Sequence, residues 1–149
     1  MNKNTNKSKY DWDIHFVADG IKCDCCGEET EGSFMPYMCD AHTHGLDKYG
    51  SKELQVVIYL DPRIVGTIIN NVGMNIKEGK VVLRDGMLLD GYIEGGYKIE
   101  VFETLDEFGD PVFRLILPDS EGRFPGESDE YPFSAQYYDP YILPAAMRS

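Results

Sequence analysis

The chain has 149 residues, 42% of them hydrophobic, and 14 Lys and Arg stand against 26 Asp and Glu, a net charge of −12. That length suits one domain able to bury a core without covalent staples. The charge excludes nucleic acid and anionic membranes as natural partners, because phosphate binding relies on Lys and Arg displacing counterions; it favours a protein partner with a basic surface.

Residues 1–9 are polar and basic, which predicts a flexible tail ahead of one globular domain over 10–149. No apolar segment follows the basic start, and no apolar run approaches the roughly 20 residues of a membrane span. A cytoplasmic protein with no membrane partner is expected, and its oligomeric state is not legible. In Tyr10–Val17 the large side chains Trp12, Ile14 and Phe16 alternate, as in a short strand. Residues 19–33 are rich in Gly, Cys, Asp and Glu, without periodicity, and read as a loop that needs something to organise it.

Glu53–Leu60 is a nearly continuous apolar run, the pattern of a central strand. Asp61 then suits a helix N-cap and Pro62 the first helical position. Ile64, Val65, Ile68, Ile69, Val72 and Ile76 form one apolar stripe, and Gly79 suits the left-handed end, so the spacing predicts a helix over about 62–78. Gly66 and Gly73 weaken it, each by up to about 1 kcal/mol relative to Ala. Beyond it, Lys80–Leu83, Met87–Tyr92, Tyr97–Glu103 and Val112–Leu117 read as strands, separated by Gly-containing turns. Residues 118–149, with five prolines from Pro118 to Pro144, read as an extended wrap. The predicted class is α+β, a mixed or antiparallel sheet of about five to six strands with one main helix packed on it.

The 4 cysteines and two of the 3 histidines cluster between Cys23 and His44. Cys23-x2-Cys26 and Cys39-x2-His42 are separated by twelve residues. Zinc takes four thiolate or imidazole ligands in a tetrahedron, and two residues between ligands let one tight turn aim both at the same ion. Gly27 lets backbone amides approach the thiolates. A structural zinc knuckle over 23–44 is therefore expected, held by Cys23, Cys26, Cys39 and His42, with Cys25 and His44 as substitutes. It is similar to zinc-ribbon and treble-clef knuckles over residues 23–42. Asp40-Ala-His42-Thr-His44 also matches the metal-binding start of amidohydrolases, but those barrels need about 250 residues and further histidines. A smaller metal-dependent hydrolase, using Asp40, His42 and His44 with Asp47, is the alternative. The stretch from Glu100 to Glu130 is rich in carboxylates, read as a solvated face or a docking patch for a basic partner.

Tyr37, Thr43-His44-Gly45-Leu46, Glu53-Leu54 entering an apolar strand, and Pro118-Asp119-Ser120-Glu121-Gly122-Arg123-Phe124-Pro125 stand in one order along the chain. Over Met35–Gln136 this pattern resembles a widespread bacterial domain of unknown function. Lys52 and Gly126 stand where that family has Pro and Trp. The resemblance implies a small cytosolic α+β protein without an established activity. Asp119 and Arg123 are candidate polar contacts on the rim of a ligand or partner site, with Phe124 as the anchor. The functional expectation is a non-catalytic binding or regulatory module with a structural zinc. A second alternative is a small-molecule sensor built on Tyr92, Tyr97, Phe102 and Phe124.

Overall fold

The computed structural model describes residues 10–20 and 32–142. Its strands are β1 (Asp13–Val17), β2 (Met38–His44), β3 (Glu53–Ile58), β4 (Leu88–Leu89), β5 (Ile99–Leu105) and β6 (Pro111–Ile116), with one α-helix, α1 (Pro62–Lys77). They form one six-stranded sheet in the order β1-β2-β3-β6-β5-β4. The β3–β6 pair is parallel and the other four are antiparallel. The fold is α+β with a mixed sheet. The central parallel pair requires a long crossover, and α1 with the β4–β5 hairpin supplies it.

α1 begins and ends where local chemistry dictates. The Asp61 carboxylate accepts from the Arg63 amide at 2.9 Å, and Gly79 takes φ 73° just past the end. Its buried face is Val65, Ile68, Ile69, Val72, Gly73 and Ile76; Ile64, at the edge of the stripe, is 53% exposed. That face meets Leu54, Val56, Ile99, Val101, Leu115, Cys39, Ala41 and Trp12 in one core cluster.

The structure departs from the sequence reading in three places. Lys80–Leu83 is not a strand, because the amides of Lys80 and Val81 turn back onto the Asn75 carbonyl at the helix end. Met87–Tyr92 shrinks to two residues ahead of Gly91, whose φ of 92° ends the extended run. And Met38–His44, expected within a zinc-held loop, is strand β2, paired on both sides by β1 and β3.

On the second face of the sheet the polar side chains Asp40, Gln55 and Arg114 are nearly inaccessible, beside the buried apolar Val57 and Ile116. The chain from 117 to 142 runs over them: Arg114 donates to the carbonyls of Gln136 and Tyr138, and Gln136 bonds both the amide and the carbonyl of Leu117. The sheet is thus covered by α1 on one face and by this carboxyl-terminal segment on the other.

Candidate functional site

Side chains alternate along β2. Cys39, Ala41 and Thr43 enter the α1 side and are fully buried, whereas Asp40, His42 and His44 stand on the second face. β1 is in register, with His15 opposite His42 and Asp13 opposite His44. Three imidazoles therefore gather, with ring centroids 4.8 Å apart for His42–His44, 5.1 Å for His15–His42 and 6.1 Å for His15–His44. The Nε2 atoms of His42 and His44 lie 3.1 Å apart.

A chain of bonds across three strands fixes His42. Its Nδ1 lies 3.0 Å from Asp40 Oδ1, which also accepts from Gln55 Nε2 at 3.1 Å. Gln55 Oε1 in turn accepts from Arg114 Nε at 2.8 Å. Asp40 Oδ2 accepts from the Tyr141 hydroxyl at 2.7 Å. A carboxylate only accepts, so Nδ1 is the protonated nitrogen of His42. Burial pushes the Asp40 carboxyl up, but its bond and charge interaction with His42, and the donors Tyr141 and Gln55, outweigh burial and hold it below the usual range. His42 is the mirror case. Burial disfavours its charged form, but Asp40, with Asp106 and Glu53 further off, raises it above its ordinary value.

The cluster forms one wall of a cavity of about 250 Å³. The others are Phe34 and Tyr141, whose rings lie 4.6 Å apart, and the β5–β6 turn, which contributes Asp106, Glu107, Phe108 and Asp110. Asp106 Oδ1 accepts from the amides of Phe108 and Asp110, both at 2.9 Å, and so shapes the turn. Phe108 is 75% exposed. Asp19 accepts from the amides of Ser33 and Phe34 and so holds these two lining residues in place.

The residues singled out in the sequence separate. Cys23, Cys25 and Cys26 lie outside the described residues, and their share in zinc binding rests on spacing alone. Cys39 does not join His42: its Sγ faces the Val56 and Ile58 carbonyls in the core, and burial pushes the thiol up. His42 and His44 come together. Asp47 sits in the 3-10 turn Leu46–Tyr49 and does not line the cavity. Asp119, Arg123 and Phe124 are also away from it. Asp119 accepts from the Glu121 and Arg123 amides and from the Ser128 hydroxyl, and Arg123 Nε returns to it at 3.3 Å, so the group staples its own loop. Three of the four aromatic residues of the sensor reading have different neighbours: Tyr92 meets Asn75, Tyr97 the Ser120 carbonyl, and Phe102 the ring of Tyr137.

Gln55, Arg114, Tyr141 and Phe108 were not legible as site residues; Asp106 was, as part of the carboxylate-rich stretch from Glu100 to Glu130 read as a docking patch. Gln55 and Arg114 did carry a signal: each is a polar residue in the middle of an otherwise apolar strand. Among the described residues, no group of three or more His, Cys, Asp or Glu side chains is placed, as it stands, to hold a metal ion, and no helix is long and apolar enough to cross a membrane.

Fold and site together define a small α+β protein whose histidine cluster opens into an acidic, aromatic cavity. Comparison with protein families, with curated proteins and with solved structures finds no match.

Proposed function

We propose that the protein is a non-catalytic binding module that captures a basic side chain of a partner protein in the cavity between β2 and the β5–β6 turn. The observation that carries this is the makeup of the wall: Asp40, Asp106, Glu107 and Asp110 with Phe34, Phe108 and Tyr141, and no Lys or Arg among the described lining residues. A cation with an apolar stem matches that combination, since carboxylates attract the charge and ring faces accept it. The cavity, at about 250 Å³, is below the usual 300–1,000 Å³ or so of small-molecule sites; it suits one side chain. The net charge of −12 supports the same choice by steering a basic surface toward the protein.

The test is a titration of the full chain with Nα-acetyl-lysine N-methylamide, followed by amide chemical shifts, beside the uncharged norleucine analogue. The lysine compound is expected to shift Val17, Phe34 and Phe108, with a dissociation constant near about 1 mM that weakens at high salt. Asp110→Asn and Phe108→Ser should weaken it severalfold. Equal binding of the norleucine compound, or none by either, rejects the reading.

A second reading, a metal-assisted hydrolase, is favoured by one observation: His42 and His44 open into a cavity that has room for a reacting group. Turnover of activated esters that depends on added zinc and vanishes in His44→Ala would favour it over the binding module.

A further inference from the structure

Two imidazole nitrogens bound to one tetrahedral ion at about 2.0–2.1 Å stand about 3.3–3.4 Å apart, and their ring centroids about 5 Å apart. The His42 and His44 Nε2 atoms are 3.1 Å apart, and the three ring centroids are separated by 4.8, 5.1 and 6.1 Å. Both imidazoles are on one strand, two residues apart, where alternation puts them on the same face. His15 enters from the neighbouring strand, directly opposite His42.

The surroundings of His42 are those of a metal ligand. With Nδ1 bonded to Asp40, Nε2 of the neutral ring carries the lone pair and is aimed at His44. A carboxylate behind a ligating imidazole fixes its tautomer and raises its basicity. Asp40 is itself held by Tyr141 and by Gln55, which Arg114 orients, so the ring has little freedom to turn away. Without metal, one proton bridges the two Nε2 atoms; a divalent ion displaces that proton. The outer position faces the cavity. A divalent ion there leaves the wall negative, because four carboxylates line it.

We infer that His42 and His44, with His15 as the third ligand after a turn of its ring, form an imidazole site for a divalent transition metal of the zinc class, a site that does not use Cys39. It differs from the knuckle expected from cysteine spacing, because the ligands are histidines on paired strands rather than thiolates in turns.

Cobalt(II) separates the two chemistries, since thiolate ligands add an intense near-ultraviolet charge-transfer band that imidazoles lack. The experiment titrates cobalt(II) into the untagged full chain and into a Cys23→Ser, Cys25→Ser, Cys26→Ser variant. The triple variant is expected to bind about one equivalent, with visible ligand-field absorption and no thiolate band. In that background His44→Ala should lower affinity at least about tenfold, and Asp40→Asn by about 10–100-fold, the usual loss when the group behind a ligating imidazole is removed. His44 is exposed, so its substitution leaves the fold intact even where changes at the buried Asp40 do not. No binding by the triple variant, or affinity unchanged by His44→Ala, overturns the site; affinity unchanged by His15→Ala removes His15 from it.

Discussion

Two glycines in one helix show how a single residue is governed by what it touches. Gly66 and Gly73 both lower the intrinsic helicity of α1, and on propensity alone both should improve as alanine. A Cβ on Gly66 meets nothing within 4 Å, so Gly66→Ala is expected to stabilise the protein by about 0.5–1 kcal/mol. A Cβ on Gly73 meets Trp12 Cζ2 at 2.7 Å, and the indole is pinned by its Nε1 donating to Asn70 at 2.8 Å. Gly73→Ala is therefore expected to destabilise by about 1–3 kcal/mol, since overpacking outweighs the gain in propensity. Thermal melts of the two variants check the pair, and a stabilised Gly73→Ala would refute the close packing. Gly73 looked like a defect in the helix pattern; its reason lies in Trp12, sixty-one positions earlier.

At the scale of an element, the loop from Pro118 to Ser128 is organised by one carboxylate. The Ser128 hydroxyl, aided by the Glu121 and Arg123 amides and the Arg123 charge, overcomes the opposing effect of burial and lowers the Asp119 pKa to about 2. In the unfolded chain the group has the ordinary value near about 3.9. A lowered folded pKa contributes stability that is present above pH about 4 and is lost as pH falls toward about 2. The stability advantage of the native protein over Asp119→Asn should accordingly shrink across that window, as measured by urea unfolding at stepped pH. An advantage constant with pH would mean that the carboxylate acts by shape alone. The prolines of this segment were legible as an extended wrap, but the part played by Asp119 was not: expected on the rim of a site, it bonds its own neighbours in sequence. Strand β2 was not legible either. Its Asp, His and Thr residues suggested a polar loop, yet Cys39, Ala41 and Thr43 form a buried face at period two.

For the whole molecule, the polar line from Arg114 through Gln55 to Asp40 joins the sheet to the carboxyl-terminal segment and to the histidine cluster. Arg114→Met removes donors from the carbonyls of Gln136 and Tyr138 and from Gln55 Oε1, and with them the group that orients Gln55 toward Asp40. The expected cost is about 2–5 kcal/mol in denaturant unfolding, because three acceptors lose a charged donor at about 1–3 kcal/mol each. Faster amide exchange in residues 136–141 should accompany it, because the same guanidinium tethers that segment. A cost below about 1 kcal/mol would mean that water replaces the guanidinium readily.

The amino-acid sequence by itself determined the class of fold, helix α1 with its cap and terminal glycine, and strands β3, β5 and β6, because capping and hydrophobic period are local properties. It also placed His42 and His44 together as candidate ligands. Only the tertiary structure decided which face each side chain takes. Cys39 and His42 are three residues apart, a spacing that brings ligands together in a turn and sends them to opposite faces of a strand. The pairing of β2 with β1 and β3 settles that choice, and no local signal reports it. The cavity is assembled the same way, from β1, β2, the β5–β6 turn and Tyr141, segments that meet only because the sheet orders them.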